Sequence, residues 1–149
     1  MIRVIFISSI LALMFSLSPA WAADSPQEVR HEMMEGVGDA AKPVGKMLKG
    51  EQEFDAAVVT KSFQVWSNAA IDFGDLFPEG SETGYDTEAR ETIWTDRDGF
   101  NEHLVTFTDA VISAIEDNPQ DLEMLKTATG PVFKACKACH EDYRVEDED

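Results

Sequence analysis

Cys136, Cys139 and His140 share one five-residue run, Cys136-Lys137-Ala138-Cys139-His140. Thiols three positions apart on a helix lie on one face, about one turn apart, so both can add to the two vinyl groups of a single porphyrin. A histidine directly after the second thiol can turn its imidazole under the ring and ligate iron through one nitrogen. The run is the C-x-x-C-H pattern of haem attachment. It predicts one haem c, bonded covalently through Cys136 and Cys139, with His140 as an iron ligand. Three other chemistries fit parts of the pattern. A C-x-x-C redox dithiol usually sits at the start of a helix after a strand, whereas these cysteines fall late in the last helix of a chain that reads as all-α. A zinc site needs a fourth ligand; His31, His103 or a carboxylate could supply one, but no second paired-ligand motif exists. A disulfide across C-x-x-C closes too short a loop to restrain much of the chain.

The start of the sequence bears on where this chemistry happens. Arg3 precedes an almost wholly apolar run from Val4 to Leu17, and Ala20-Trp21-Ala22 offers small residues where a signal peptidase reads them. A run this short with a small-residue exit reads as a signal peptide rather than a membrane span. We therefore expect a cleaved leader over 1–22, one haem-binding domain over 23–145 and an acidic tail over 146–149. The expected location is periplasmic, with no membrane insertion after cleavage.

The chain carries 12 basic and 29 acidic residues, a formal charge of −17. Arg3 is the one charged side chain in the leader, so 11 basic residues face 29 acidic ones in the remainder. Such a surface argues against nucleic acid and anionic membrane as partners, both being polyanions. It suits a redox partner protein with a basic surface.

The elements that must hold the motif read as helices. Ser25-Pro26-Gln27-Glu28 joins an N-cap serine to proline at the first helical position and glutamate three residues after the cap. Val29, Met33, Val37, Ala40, Val44 and Met47 then recur at three- and four-residue steps. Gly36, Gly38 and Pro43 are expected to weaken or bend this first helix. Asp55 caps a second helix that runs out near Leu76-Phe77-Pro78, and Glu79 to about Trp94 reads as an irregular crossing loop. Thr95 with Asp98 is expected to start a third helix, on the seam Phe100, Leu104, Phe107, Val111 and Ala114. Asn118-Pro119-Gln120-Asp121 repeats the cap logic before a fourth helix, with a kink expected at Gly130-Pro131. Four helices with two short links and one longer loop describe an all-α, antiparallel four-helix bundle.

With these residues in place, the chain resembles the cytochrome c-prime family, the class II cytochromes c with their low-spin relatives. The resemblance covers essentially the whole sequence after the leader. It rests on Arg30-x-x-x-Met34, Lys49-Gly50, Leu76-Phe77-Pro78, Ile93-Trp94 and above all on the attachment motif near the C-terminus, Cys136 to Arg144. It implies that His140 is the proximal ligand and that Arg30 approaches a haem propionate. It further implies that Met34 faces the distal side of the iron and that Arg144 tunes the surroundings of the histidine. A homodimer paired through the first two helices is implied by the same analogy.

The family divides by what occupies the sixth iron position. A methionine that coordinates gives a six-coordinate haem suited to electron transfer. A side chain that only blocks leaves five-coordinate iron open to NO or CO. Met34 is chemically able to ligate, and an apolar plug is its other role. Met33 belongs to the 29–33–37 stripe and reads as core, and His31 as a solvated helix-face residue. No catalytic constellation stands out, since the remaining acids are spread along helix faces and His103 has no nucleophile partner in sequence. The expected activity is therefore non-enzymatic one-electron transfer through haem iron, with gas binding as the alternative.

Overall fold

The computed structural model describes residues 25–145. The leader expected at 1–22 and the tail expected at 146–149 lie outside the described residues. Helix α1 (Pro26–Leu48) begins where the serine oxygen of Ser25 accepts from the Glu28 amide at 3.2 Å, with Pro26 in the first turn, where its missing N–H would have had no helical partner. Helix α2 (Ala56–Asp72) starts at Asp55, whose carboxylate accepts from the Ala57 and Val58 amides at 2.9 and 3.2 Å. It tightens into a 3₁₀ turn over Phe73–Leu76. After the crossing segment, α3 (Thr92–Thr95) is a single turn, followed by α4 (Arg97–Asp117) and α5 (Leu122–Tyr143). Asn118 ends α4 with φ of 43°, a left-handed turn that asparagine tolerates, and Asp121 caps α5 by accepting from the Met124 amide at 2.9 Å.

Three expectations are corrected. The start of the third long helix is Asp96, not Thr95 with Asp98; the Asp96 carboxylate accepts from the Gly99 amide at 3.2 Å, while Thr95 closes the preceding turn. Thr95 and Asp96 are both capping residue types, so their order alone left the position open. The cap of α5 is Asp121 rather than Asn118, where the repeated Ser25-Pro26-Gln27-Glu28 pattern put it; Asn118 closes α4 instead, and the acceptor for the Met124 amide lies three residues on. Met33, expected in the core, is half-buried and belongs to neither core cluster of the described residues.

The four long helices form the bundle: α1 packs on α2, α2 on α4 and α4 on α5, whereas α1 and α5 touch only sparsely. The core is consequently in two parts. One cluster gathers Val44, Met47, Phe63, Trp66, Leu125 and Val132. The other, at the opposite end of the bundle, centres on Ile93 and on Phe77, Phe100 and Tyr143, where the Phe100 ring meets the other two edge to face. The end of α5 is tied to the crossing segment by the Ala89–Arg144 bridge, with Arg90 N donating to Tyr143 O at 2.9 Å and Val145 N to Glu88 O at 2.7 Å.

One close approach at this end is testable. Tyr143 Oη donates to the Asp96 carboxylate at 3.2 Å, directly over Gly99. A Cβ at Gly99 would fall 2.7 Å from Tyr143 Oη and closer still to the Asp96 carboxylate. Gly99→Ala must break that hydrogen bond or shift α4, and we expect a loss of about 1–3 kcal/mol in the thermal unfolding of the holoprotein.

Candidate functional site

A cavity of about 560 Å³ opens where α1 and α5 stand apart. From α5 it is lined by Phe133, Cys136, His140 and Tyr143, spaced by three, four and three residues and so on one helix face. Cys139 lines it as well. From α1 come Arg30, Met34, Val37 and Ala41, again a single stripe. The cavity thus brings together all six residues expected at the site: Cys136, Cys139, His140, Arg30, Met34 and Arg144. It also brings in His31 and His103, which the sequence had left outside the site.

The two thiols are half-buried against apolar walls. Burial raises the Cys136 pKa, and burial together with charge at Cys136 and Asp142 pushes that of Cys139 up to about 11. Both are therefore neutral thiols at physiological pH, the reverse of the depressed thiol of a redox dithiol at a helix start. The His140 imidazole borders the cavity at its exposed rim. Partial desolvation, then the Arg144 guanidinium, hold its pKa below the ordinary histidine value. That favours the neutral form able to ligate a metal. Arg144 is exposed and lies 3.8 Å from the Glu88 carboxylate.

Arg30, expected at the site, has more partners than the resemblance implied. Its side chain is buried, at 4 % exposure, with four hydrogen bonds to the crossing segment. Nη1 donates to Leu76 O at 2.8 Å and Ser81 Oγ at 3.0 Å; Nη2 donates to Ser81 O at 2.8 Å and Thr87 Oγ1 at 3.2 Å. Its guanidinium also lies over the rings of Phe77 at 4.6 Å and Trp94 at 5.6 Å. Burial lowers its pKa, partly offset by Glu82. Nε–H is the donor these bonds leave over. Sequence reasoning missed Ser81 and Thr87, because partners more than fifty residues away carry no local signal.

The two extra histidines have partners of their own. His103 Nε2 lies 3.2 Å from the Asp142 carboxylate, with its ring edge-on to Tyr143. His31, exposed, meets the ring of Tyr85 edge-on at 6.2 Å.

The arrangement fits a haem. Its walls are largely apolar, two neutral thiols share one helix face, an imidazole stands a turn beyond the first, a thioether comes from another helix, and a buried guanidinium retains one donor for an anionic group.

Comparison with known proteins agrees. A model of the family described as cytochrome C′ matches residues 25–144. A cytochrome c′ of Rhodopseudomonas palustris is 38% identical over 116 residues, covering 78% of this chain and 79% of that protein. A cytochrome c-556 of Agrobacterium fabrum is 34% identical over 139 residues, covering 90% of this chain and 92% of that protein. Among solved structures, cytochrome c′ from Rhodopseudomonas palustris superposes with a TM-score of 0.80 at 34% identity, over 85% of this chain and all of that one.

Proposed function

The chain belongs to the cytochrome c′ family and carries haem c, and from that premise we propose that it is an electron carrier held in the low-spin, six-coordinate form. Cys136 and Cys139 would hold the haem as thioethers, with His140 and Met34 as the residues that would ligate its iron. When bound, the iron supplies one-electron chemistry by cycling between its ferric and ferrous states. Met34 lining the same cavity as both thiols and His140 is the observation that carries this reading.

The surrounding residues prepare the site for that task. Neutral Cys136 and Cys139 place no charge in the apolar wall. The low basicity of His140 keeps a nitrogen lone pair free for the metal. Arg30, with its Nη hydrogens satisfied, would have Nε–H left to donate to a propionate. Arg144 adds positive charge beside His140, which tunes the electron density that ligand offers. Glu35, Asp86 and Glu88 are exposed and line the cavity. With the acidic surface as a whole, they suit an encounter with a redox partner bearing a basic surface.

Met34 lining the cavity equally suits an apolar plug, and the alternative reading is then a gas-binding protein.

One set of measurements on holoprotein from cells with haem-maturation machinery tests the proposal. Acid-acetone should extract no haem, the mass should exceed that of the polypeptide by one haem, and the ferric spectrum should be low-spin with slow CO uptake by the ferrous form. A bound zinc or an intact Cys136–Cys139 disulfide in that preparation overturns the attachment. A high-spin ferric spectrum with immediate CO uptake replaces electron transfer by gas binding.

A further inference from the structure

The crossing segment between α2 and α4 forms one wall of the cavity through Phe77, Asp86, Thr87, Glu88 and Ala89. Its backbone turns tightly in the left-handed region. Gly84, Tyr85 and Asp86 follow one another with φ of 99°, 48° and 43°. Glycine adopts that region freely and aspartate tolerates it, whereas Tyr85 is held in a conformation that its side chain seldom occupies. Such residues persist where the surroundings over-determine them.

The turn is closed locally by Thr87 N donating to Gly84 O at 3.2 Å, and α1 brackets it on both sides. Gln27 Nε2 donates to Thr83 O at 2.7 Å, just before the left-handed run, and Arg30 Nη2 donates to Thr87 Oγ1 at 3.2 Å, just after it. Arg30 also grips Ser81 at both its hydroxyl and its carbonyl, and Ser81 itself is 3 % exposed, its hydroxyl donating to Pro78 O at 2.8 Å. The Leu76 carbonyl completes the set. One guanidinium therefore ties three points of the segment to α1, one turn before Met34. Only a planar fork reaches so many acceptors at once; a lysine ammonium has three donors on a single atom.

We propose that Arg30 is a positioning residue that clamps the 76–87 segment onto α1 against the strain of its own backbone, and that loosening of this clamp sets how readily a small neutral ligand reaches the Met34 side of the cavity. The clamp is separate from the donor that Arg30 keeps for a propionate, because it uses the Nη hydrogens and leaves Nε. The inference rests on the reading that the sixth iron position faces this cavity.

The test compares wild type, Arg30→Lys, the double variant Ser81→Ala/Thr87→Val and Met34→Ala, all as holoproteins. Amide hydrogen exchange is followed over residues 79–88, and CO association is timed in the ferrous state. Arg30→Lys should raise exchange across the segment by about tenfold or more, and CO association should quicken with it. Ser81→Ala/Thr87→Val, which keeps Arg30 and its Nε–H, should move both readouts in the same direction by less; it also stands in if Arg30→Lys does not mature. Unchanged exchange in both clamp variants overturns the proposal, as does faster exchange with an unaltered CO rate. Met34→Ala separates the clamp from the axial-ligand reading: its segment exchange should stay at the wild-type level whatever its CO rate. A loosening there as large as in Arg30→Lys would show that the segment responds to the sixth position rather than to Arg30.

Discussion

Met34→Ala should turn a low-spin ferric protein into a high-spin one and speed CO association by orders of magnitude. Met34 is half-buried on the α1 stripe of the cavity, four residues after Arg30. Arg30 is locked in place by its bonds to the crossing segment, so the rotation of α1 about its axis is set there, and Met34 one turn on has little choice of direction. An alanine leaves nothing to reach the iron. A thioether is a soft, neutral ligand that favours ferrous iron, so its loss should also lower the midpoint potential. Met33→Ala is the control: Met33 does not line the cavity, and its replacement should leave the spectrum in place. Absorption and magnetic circular dichroism spectra of the two variants decide the matter. A wild-type spectrum in Met34→Ala would exclude sulfur coordination.

Replacing His140 is the second large effect. His140→Ala keeps both cysteines, so the haem should remain covalently attached while the Soret band shifts and the ferric iron changes its ligand set. The cavity makes the outcome sharper than the motif alone could. His31 and His103 line the same space, and either would be the suspect if the spectrum stayed unaltered. His103 is the less free of the two, with Nε2 at 3.2 Å from the Asp142 carboxylate and its ring against Tyr143. His31 is exposed and sits on the stretch of α1 that carries Met34. The double variants His140→Ala/His31→Ala and His140→Ala/His103→Ala identify a substitute ligand if one is recruited.

What the sequence made legible follows the range of the interactions. The caps at Ser25 and Asp55 are bonds across two or three residues, and each stands where its residue types placed it, whereas the last cap fell on Asp121, three residues after Asn118. The attachment run is equally local, and so is the step of four from Arg30 to Met34. The start of α4 was displaced by one residue because Thr95 and Asp96 compete for the same role, and only the Gly99 amide chooses between them. What stayed hidden was long-range. Ser81 and Thr87 join Arg30 across 51 and 57 residues. Asp96 joins Tyr143 across 47, and His103 reaches Asp142 from another helix. In a crossing segment rich in glycine and acids no periodicity marks these residues, since a loop's partners are chosen by the bundle it closes over. Arg30 shows the difference well: the resemblance to a family gave it one anionic partner, and the fold gives it four neutral acceptors besides.

The division of the core has a consequence for the life of the protein in its compartment. Trp66, Phe133 and Cys136 meet the cavity from one cluster, and Phe77, Phe100, Tyr143 and Cys139 meet it from the other. A rigid apolar body between them turns two modest cores into one. A chain that fails to acquire its haem would keep the larger cluster while the smaller one, with the crossing segment over it, opens far more often. Exposed segments of that kind are what proteases cut first. Attachment at Cys136 and Cys139 would then serve as a checkpoint, because a chain without cofactor would expose residues 79–91 to cleavage more often than a finished one.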